Sequence, residues 1–122
     1  MTIVHENIEM YSDKILIRKF KGRVGVEEII ESWEYLLENN LINDKIRGVI
    51  NEINNCNLDL HQDSFRKLMS YLKNNPIFGN VKLAVICESP DKIIFPMMAE
   101  KEKDLHVRPF STTQAAIAWI LQ

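Results

Sequence analysis

Residues 81–87, Val81-Lys82-Leu83-Ala84-Val85-Ile86-Cys87, are apolar at every position but Lys82. A nearly continuous run of this kind suits a central strand covered on both faces, and such strands belong to parallel sheets layered by helices. The flanking sequence agrees. Val26, Ile29, Ile30, Trp33, Leu36 and Leu37 recur at helical spacing and form one apolar stripe, with Glu27 and Glu28 in the first turn, where the helix dipole favours negative charge. Asn39 and Asn40 supply its C-terminal stop.

The remaining elements follow by period and punctuation. Ile3 to Phe20 reads as two strands joined by the turn formers Ser12 and Asp13, an antiparallel hairpin. In the second, Ile15 and Ile17 fall on one face, Leu16 and Arg18 on the other. Gly22-x-x-Gly25 reads as a turn into the first helix. Gly48 to Ile53 predicts a strand, the Asn- and Asp-rich residues 51–63 a loop, and Phe65, Leu68, Met69 and Leu72 a helix ended by Asn74-Asn75-Pro76. Ser89-Pro90-Asp91 is a helix start. Pro96 either interrupts that helix or sits within one continuous element. Leu105 to Arg108 predicts a strand closed by Pro109, and Ser111-Thr112-Thr113-Gln114 has capping-box spacing for a last helix. The order β-β-α-β-α-β-α-β-α implies a mixed α/β fold with right-handed crossovers.

At 122 residues, without repeats or a linker-like stretch, the chain is expected to form one domain over 1–122. Fifteen basic against 17 acidic residues give a net charge of −2, which argues against nucleic acid or an acidic membrane surface as the main partner. Two cysteines fit a reducing compartment. No run of roughly 18 apolar residues is present, and the first 20 residues hold no signal-peptide core. The expected location is therefore cytoplasmic.

The polar stretch Asn54 to Ser64 follows a strand and precedes a helix, where open α/β sheets place their ligands. Asp59, His61, Asp63 and Ser64 lie there. Without a Gly-x-Ser-x-Gly elbow, His61 and Ser64 do not make a hydrolase signature. Without a second His or Cys cluster, Asp59-x-His61-x-Asp63 is a poor metal site. Helix capping by Asp59, with Gln62 three residues on, or by Asp63 accounts for the pattern. Cys56 lies in the same loop, where exposure favours reactivity but no Lys, Arg or His is close in sequence to lower its pKa, while Cys87 on the apolar strand reads as a buried small hydrophobe. No phosphate-cradling glycine pattern occurs. Ile93, Ile94, Phe95, Met97 and Met98 form a soft apolar block, which is either core packing or the wall of a groove for an apolar ligand.

Phe20-Lys21-Gly22, Trp33-Glu34-Tyr35-Leu36, Gly48-Val49-Ile50, Pro76-Ile77-Phe78-Gly79 before Lys82-Leu83-Ala84-Val85, and Arg108-Pro109-Phe110-Ser111 with Ala115-Ala116-Ile117-Ala118-Trp119 resemble the SpoIIAA-like family. That family is related to STAS domains and remotely similar to the lipid-binding CRAL-TRIO domain. The resemblance covers nearly the whole chain. It implies a mixed sheet of four or five strands with helices packed mainly on one side, and a non-enzymatic regulatory or protein-interaction role. With the pattern above this gives an N-terminal antiparallel hairpin and about four helices, and no cofactor or metal is expected. STAS antagonists are phosphorylated within Asp-Ser-Ser/Thr-Gly. Asp63-Ser64 matches its first half and Phe65 departs from it, so the implied phospho-switch or partner loop is Asp59, His61, Asp63 and Ser64. The alternative is a carrier or sensor of an apolar small molecule or lipid, in a cleft under residues 93–98 with Ile94, Phe95, Met97 and Met98 as its site residues. A protein partner or a homodimer belongs to the first reading.

Overall fold

The computed structural model describes residues 8–122. The elements run β1 (Glu9–Tyr11), β2 (Ile15–Lys19), β3 (Gly22–Gly25), α1 (Val26–Glu38), β4 (Gly48–Glu52), β5 (Cys56–Asp59), α2 (Gln62–Lys73), a 3-10 segment (Pro76–Asn80), β6 (Lys82–Ile86), α3 (Pro90–Glu100), β7 (His106–Phe110) and α4 (Thr113–Ile120). The part of the first predicted strand before Ile8, His5 included, lies outside the described residues, as does the Asp91 side chain.

Five strands form one sheet in the order β1-β2-β4-β6-β7. β2, β4, β6 and β7 are mutually parallel and β1 pairs antiparallel with β2. The hairpin turns through Ser12 (φ 57°) and Asp13 (φ 60°), closed by Lys14 N–H donating to the Tyr11 carbonyl at 3.2 Å. Two consecutive left-handed residues are the pattern of a type I′ turn, whose twist matches that of the strands. The three crossovers all step the sheet in one direction. Right-handed connections of that kind put α1, α2 and α3 on one face.

Strand register produces layered rows beneath those helices. Leu16, Val49, Leu83 and Val107 are in register across β2, β4, β6 and β7, an apolar row. Two residues further toward the C-terminal ends comes Arg18, Asn51, Val85 and Pro109. α1 buries Ile29, Trp33 and Leu36 on this face, and α2 buries Phe65, Leu68, Met69 and Leu72. On the other face Ile15, Ile50, Ala84 and Ile86 pack against Ala116 and Ile120 of α4. Gly48 permits that contact: a Cβ there would stand 2.6 Å from Ile120 Cδ1.

Several local expectations are revised. Gly22–Gly25 and Cys56–Asp59, read as a turn and a loop, are short strands that pair in parallel as a separate ribbon. α2 is capped at His61 without a side-chain bond, so neither Asp59 nor Asp63 serves as its N-cap. In α4 the capping oxygen is Thr112 Oγ1, which accepts from Ala115 N–H at 3.2 Å, one residue later than the Ser111 box. β7 runs through Pro109 to Phe110. An edge strand tolerates a residue without an N–H. α3 is continuous across Pro96, the second of the two alternatives for that segment.

Candidate functional site

Strand β2 carries a charged residue inward. Its alternation puts Arg18 on the same face as Leu16, and Arg18 is only 2 % exposed. A buried cation needs its donors bonded. Nε donates to Asn51 Oδ1 at 2.6 Å, and Nη1 donates to Ser32 Oγ at 2.5 Å. Asn51, the in-register neighbour on β4, is fixed by its own Nδ2, which donates to the Ala84 carbonyl at 3.0 Å. The guanidinium carbon lies 3.7 Å from the Trp33 ring centroid and 4.8 Å from that of Phe20. These aromatic faces favour a cation. Both hydrogen-bond partners are neutral, and no described residue forms a salt bridge with Arg18. Burial holds its pKa well below the usual arginine range, to about 9, partly countered by Tyr71. The Tyr71 hydroxyl is itself buried without a hydrogen bond of ordinary geometry. Burial first, and the Glu34 carboxylate next, push it up to about 12.

Arg18 and Asn51 are the polar members of a cavity of about 100 Å³ between the sheet and the three helices. Its other walls are apolar. Leu83, Val85 and Val107 come from the sheet, Phe65, Leu68, Met69 and Leu72 from α2, Val24 and Leu58 from the β3/β5 ribbon, and Phe95, Pro96 and Ala99 from α3. It lies toward the C-terminal ends of the parallel strands, where open α/β sheets bind ligands.

Of the residues expected to form an apolar cleft, Phe95 lines this cavity, 6.1 Å from Phe65 by ring centroids. Ile94, Met97 and Met98 do not. They sit at i, i+3 and i+4 of α3, a single helical face, and that face is exposed (54 %, 49 % and 38 %). The inward positions are taken by Phe95, Pro96 and Ala99. The helix therefore has an apolar side turned inward and a second one turned to solvent.

The other expected group gathers at the start of α2. Asp59 ends β5 and its carboxylate lies 3.5 Å from His61 Nε2, both side chains being exposed. Asp63 turns instead toward Arg66, 3.5 Å away. Among the described residues, no three His, Cys, Asp or Glu side chains converge as a metal site. Ser64 is half-buried in the first turn of α2. Cys56, expected to be exposed, is buried, because β5 turns it inward and its Sγ donates to the Ile53 carbonyl at 3.4 Å. Burial pushes its thiol up to about 11.

Sequence pattern alone does not bring Arg18, Asn51 and Ser32 together, although it carries two signals for the cluster. Arg18 falls on the inward strand face, and Ser32 interrupts the apolar stripe between Ile29 and Trp33.

This is the SpoIIAA-like fold. The structure superposes on that of an uncharacterised protein of the DUF3478 family with a SpoIIAA-like fold from Shewanella loihica PV-4, with a TM-score of 0.64 and 19 % identity over 93 % of this chain and 89 % of that one. The family resemblance drawn from the sequence is borne out at the level of the fold. No protein-family model matches the chain, nor does any curated protein. Among the described residues, no helix is long and apolar enough to cross a membrane.

Proposed function

We propose that the chain is a non-enzymatic binding module: a regulatory sensor or carrier that holds a small apolar molecule in the cavity beneath α3. The observation that carries this reading is the cavity itself. Well-packed interiors hold few voids larger than a water molecule. One of about 100 Å³ with almost wholly apolar walls approaches the size of an engineered cavity, roughly 150 Å³, that binds benzene. The inner and outer faces of α3 give the sensor its readout. Phe95, Pro96 and Ala99 contact the ligand, and a small adjustment of the helix moves Ile94, Met97 and Met98 on the surface.

A second reading, docking of a protein partner, rests on those same three side chains, since clustered exposed apolar residues mark interaction surfaces. It is compatible with the first when occupancy alters the patch.

Benzene titration followed by methyl NMR tests the cavity reading. Shifts confined to Leu68, Met69, Leu83 and Ala99 are expected, together with a small molecule retained in native mass spectra of protein purified from cells. An unperturbed spectrum and an empty protein would sink it.

A further inference from the structure

Resting on the cavity reading, we propose that Arg18 makes the site selective for a monocarboxylic acid with a short aliphatic or single-ring body. A guanidinium has five N–H donors, and the bonds to Asn51 and Ser32 occupy two of them. It lines the cavity, and no acidic residue does so among those described. The cluster is thus neutral partners around a full positive charge in an apolar setting, an arrangement that an incoming anion completes. A buried charge is costly until it is paired, and a planar carboxylate matches the guanidinium fork. The remaining walls decide what else the ligand carries. Phe95, Leu68 and Val85 offer nothing to a hydrated multi-anion such as phosphate but bury an apolar body well. A volume of about 100 Å³ suits a body of one ring or a short chain.

Benzoate and hexanoate are compared with benzamide and hexanamide, their neutral near-isosteres, by calorimetric titration of the intact chain. The acids are expected to bind at least about tenfold tighter, as a charge-assisted bond implies. The Arg18 Nη–H resonances, which carry the donors left over from Asn51 and Ser32, should move with the acids and not with the amides, a readout that needs no variant. In R18M the ratio of acid to amide affinity falls to about one. Equal affinity for acid and amide, an Arg18 resonance blind to the acid, or an acid preference that survives in R18M overturns the inference while leaving the cavity reading intact. Failure of benzene and every other probe to bind overturns both. If R18M does not fold, R18K takes its place: retaining charge without the fork, it is expected to lose most of the preference, and full retention counts against the proposal.

Discussion

The Arg18 guanidinium carbon lies 3.7 Å from the centroid of the Trp33 ring, so the charge that β2 carries inward is covered by α1. That contact and the bonds to Ser32 and Asn51 join the first crossover helix to two central strands. The cluster is as much a structural clamp as a binding feature, and its parts should be strongly coupled.

Asn51→Leu removes the acceptor for Nε and leaves both that donor and the Ala84 carbonyl without the side-chain partner each now has. A loss of about 2–4 kcal/mol is expected in urea unfolding, since breaking a buried charged bond leaves the full desolvation penalty. Adding Arg18→Met to it should restore part of that loss, because both polar partners are then gone. A double variant less stable than Asn51→Leu alone would show that the cation is net stabilising without Asn51.

Gly48→Ala tests how closely α4 sits on the sheet. The new Cβ meets Ile120 at 2.6 Å, and Ile120 is wholly buried, so it has little room to move. Overpacking of this kind costs about 1–3 kcal/mol. Ile120→Ala removes all three carbons that the new Cβ meets, at 2.6–2.7 Å, so the two changes together should cost less than the sum of each alone, whereas equal stability of Gly48→Ala and the parent would mean that α4 shifts freely.

Cys56 and Cys87 are both buried, and burial raises both thiols, with Lys92 opposing. A disulfide-exchange reagent at pH 8 should react with neither in the folded protein, and with both after denaturation. The folded Cys56 thiol keeps its proton from its ordinary value of 9.0 up to about 11, so its contribution to stability is complete below pH 9 and is lost as pH rises through 11. Rapid labelling of native protein at pH 8 contradicts this burial.

The hairpin turn offers a gain. Ser12 and Asp13 both occupy the left-handed region, where Asn-Gly is the favoured pair. The paired change S12N/D13G should raise stability by about 0.5–1 kcal/mol by relieving strain, read as a higher thermal midpoint. No gain would argue that the turn is held by its surroundings.

How much of this was legible follows from where each signal sits along the chain. The β2 alternation, the α1 stripe and the Val81–Cys87 run are local patterns, and with the capping and turn residues between them they yield the mixed α/β order and a sheet of four or five strands with about four helices. The β3/β5 ribbon could not. Gly22–Gly25 has little apolar character, Cys56–Asp59 sits in an Asn-rich stretch, and each becomes a strand only by pairing with a partner more than thirty residues away. The same holds for the site. Period alone shows Arg18 facing inward, yet the meeting of Arg18, Ser32 and Asn51 depends on register between β2 and β4 and on the docking of α1. On α3 the apolar block was visible, but Pro96 obscured the continuous helix, and with it the division between inward Phe95 and outward Ile94, Met97 and Met98.

Ala99→Leu fills the cavity from α3 and separates a binding site from a packing defect. Ala99 is 4 % exposed and lines the void, so the added carbons enter free space rather than displacing a neighbour. At roughly 24 cal/mol per Å³ of cavity, occupying much of a volume of about 100 Å³ stabilises the fold by up to about 2 kcal/mol. The same change should abolish benzene binding. A higher thermal midpoint with lost binding is the expected pair of results. A variant that gains stability yet still binds the probe would put the ligand elsewhere, and one that loses stability would mean that α3 and α2 already close around Ala99. The exposed positions give the matching control: Met97→Ser, on the solvent face of the same helix, should leave benzene affinity unchanged, because the side chains that meet the ligand are its neighbours Phe95, Pro96 and Ala99 on the inward face.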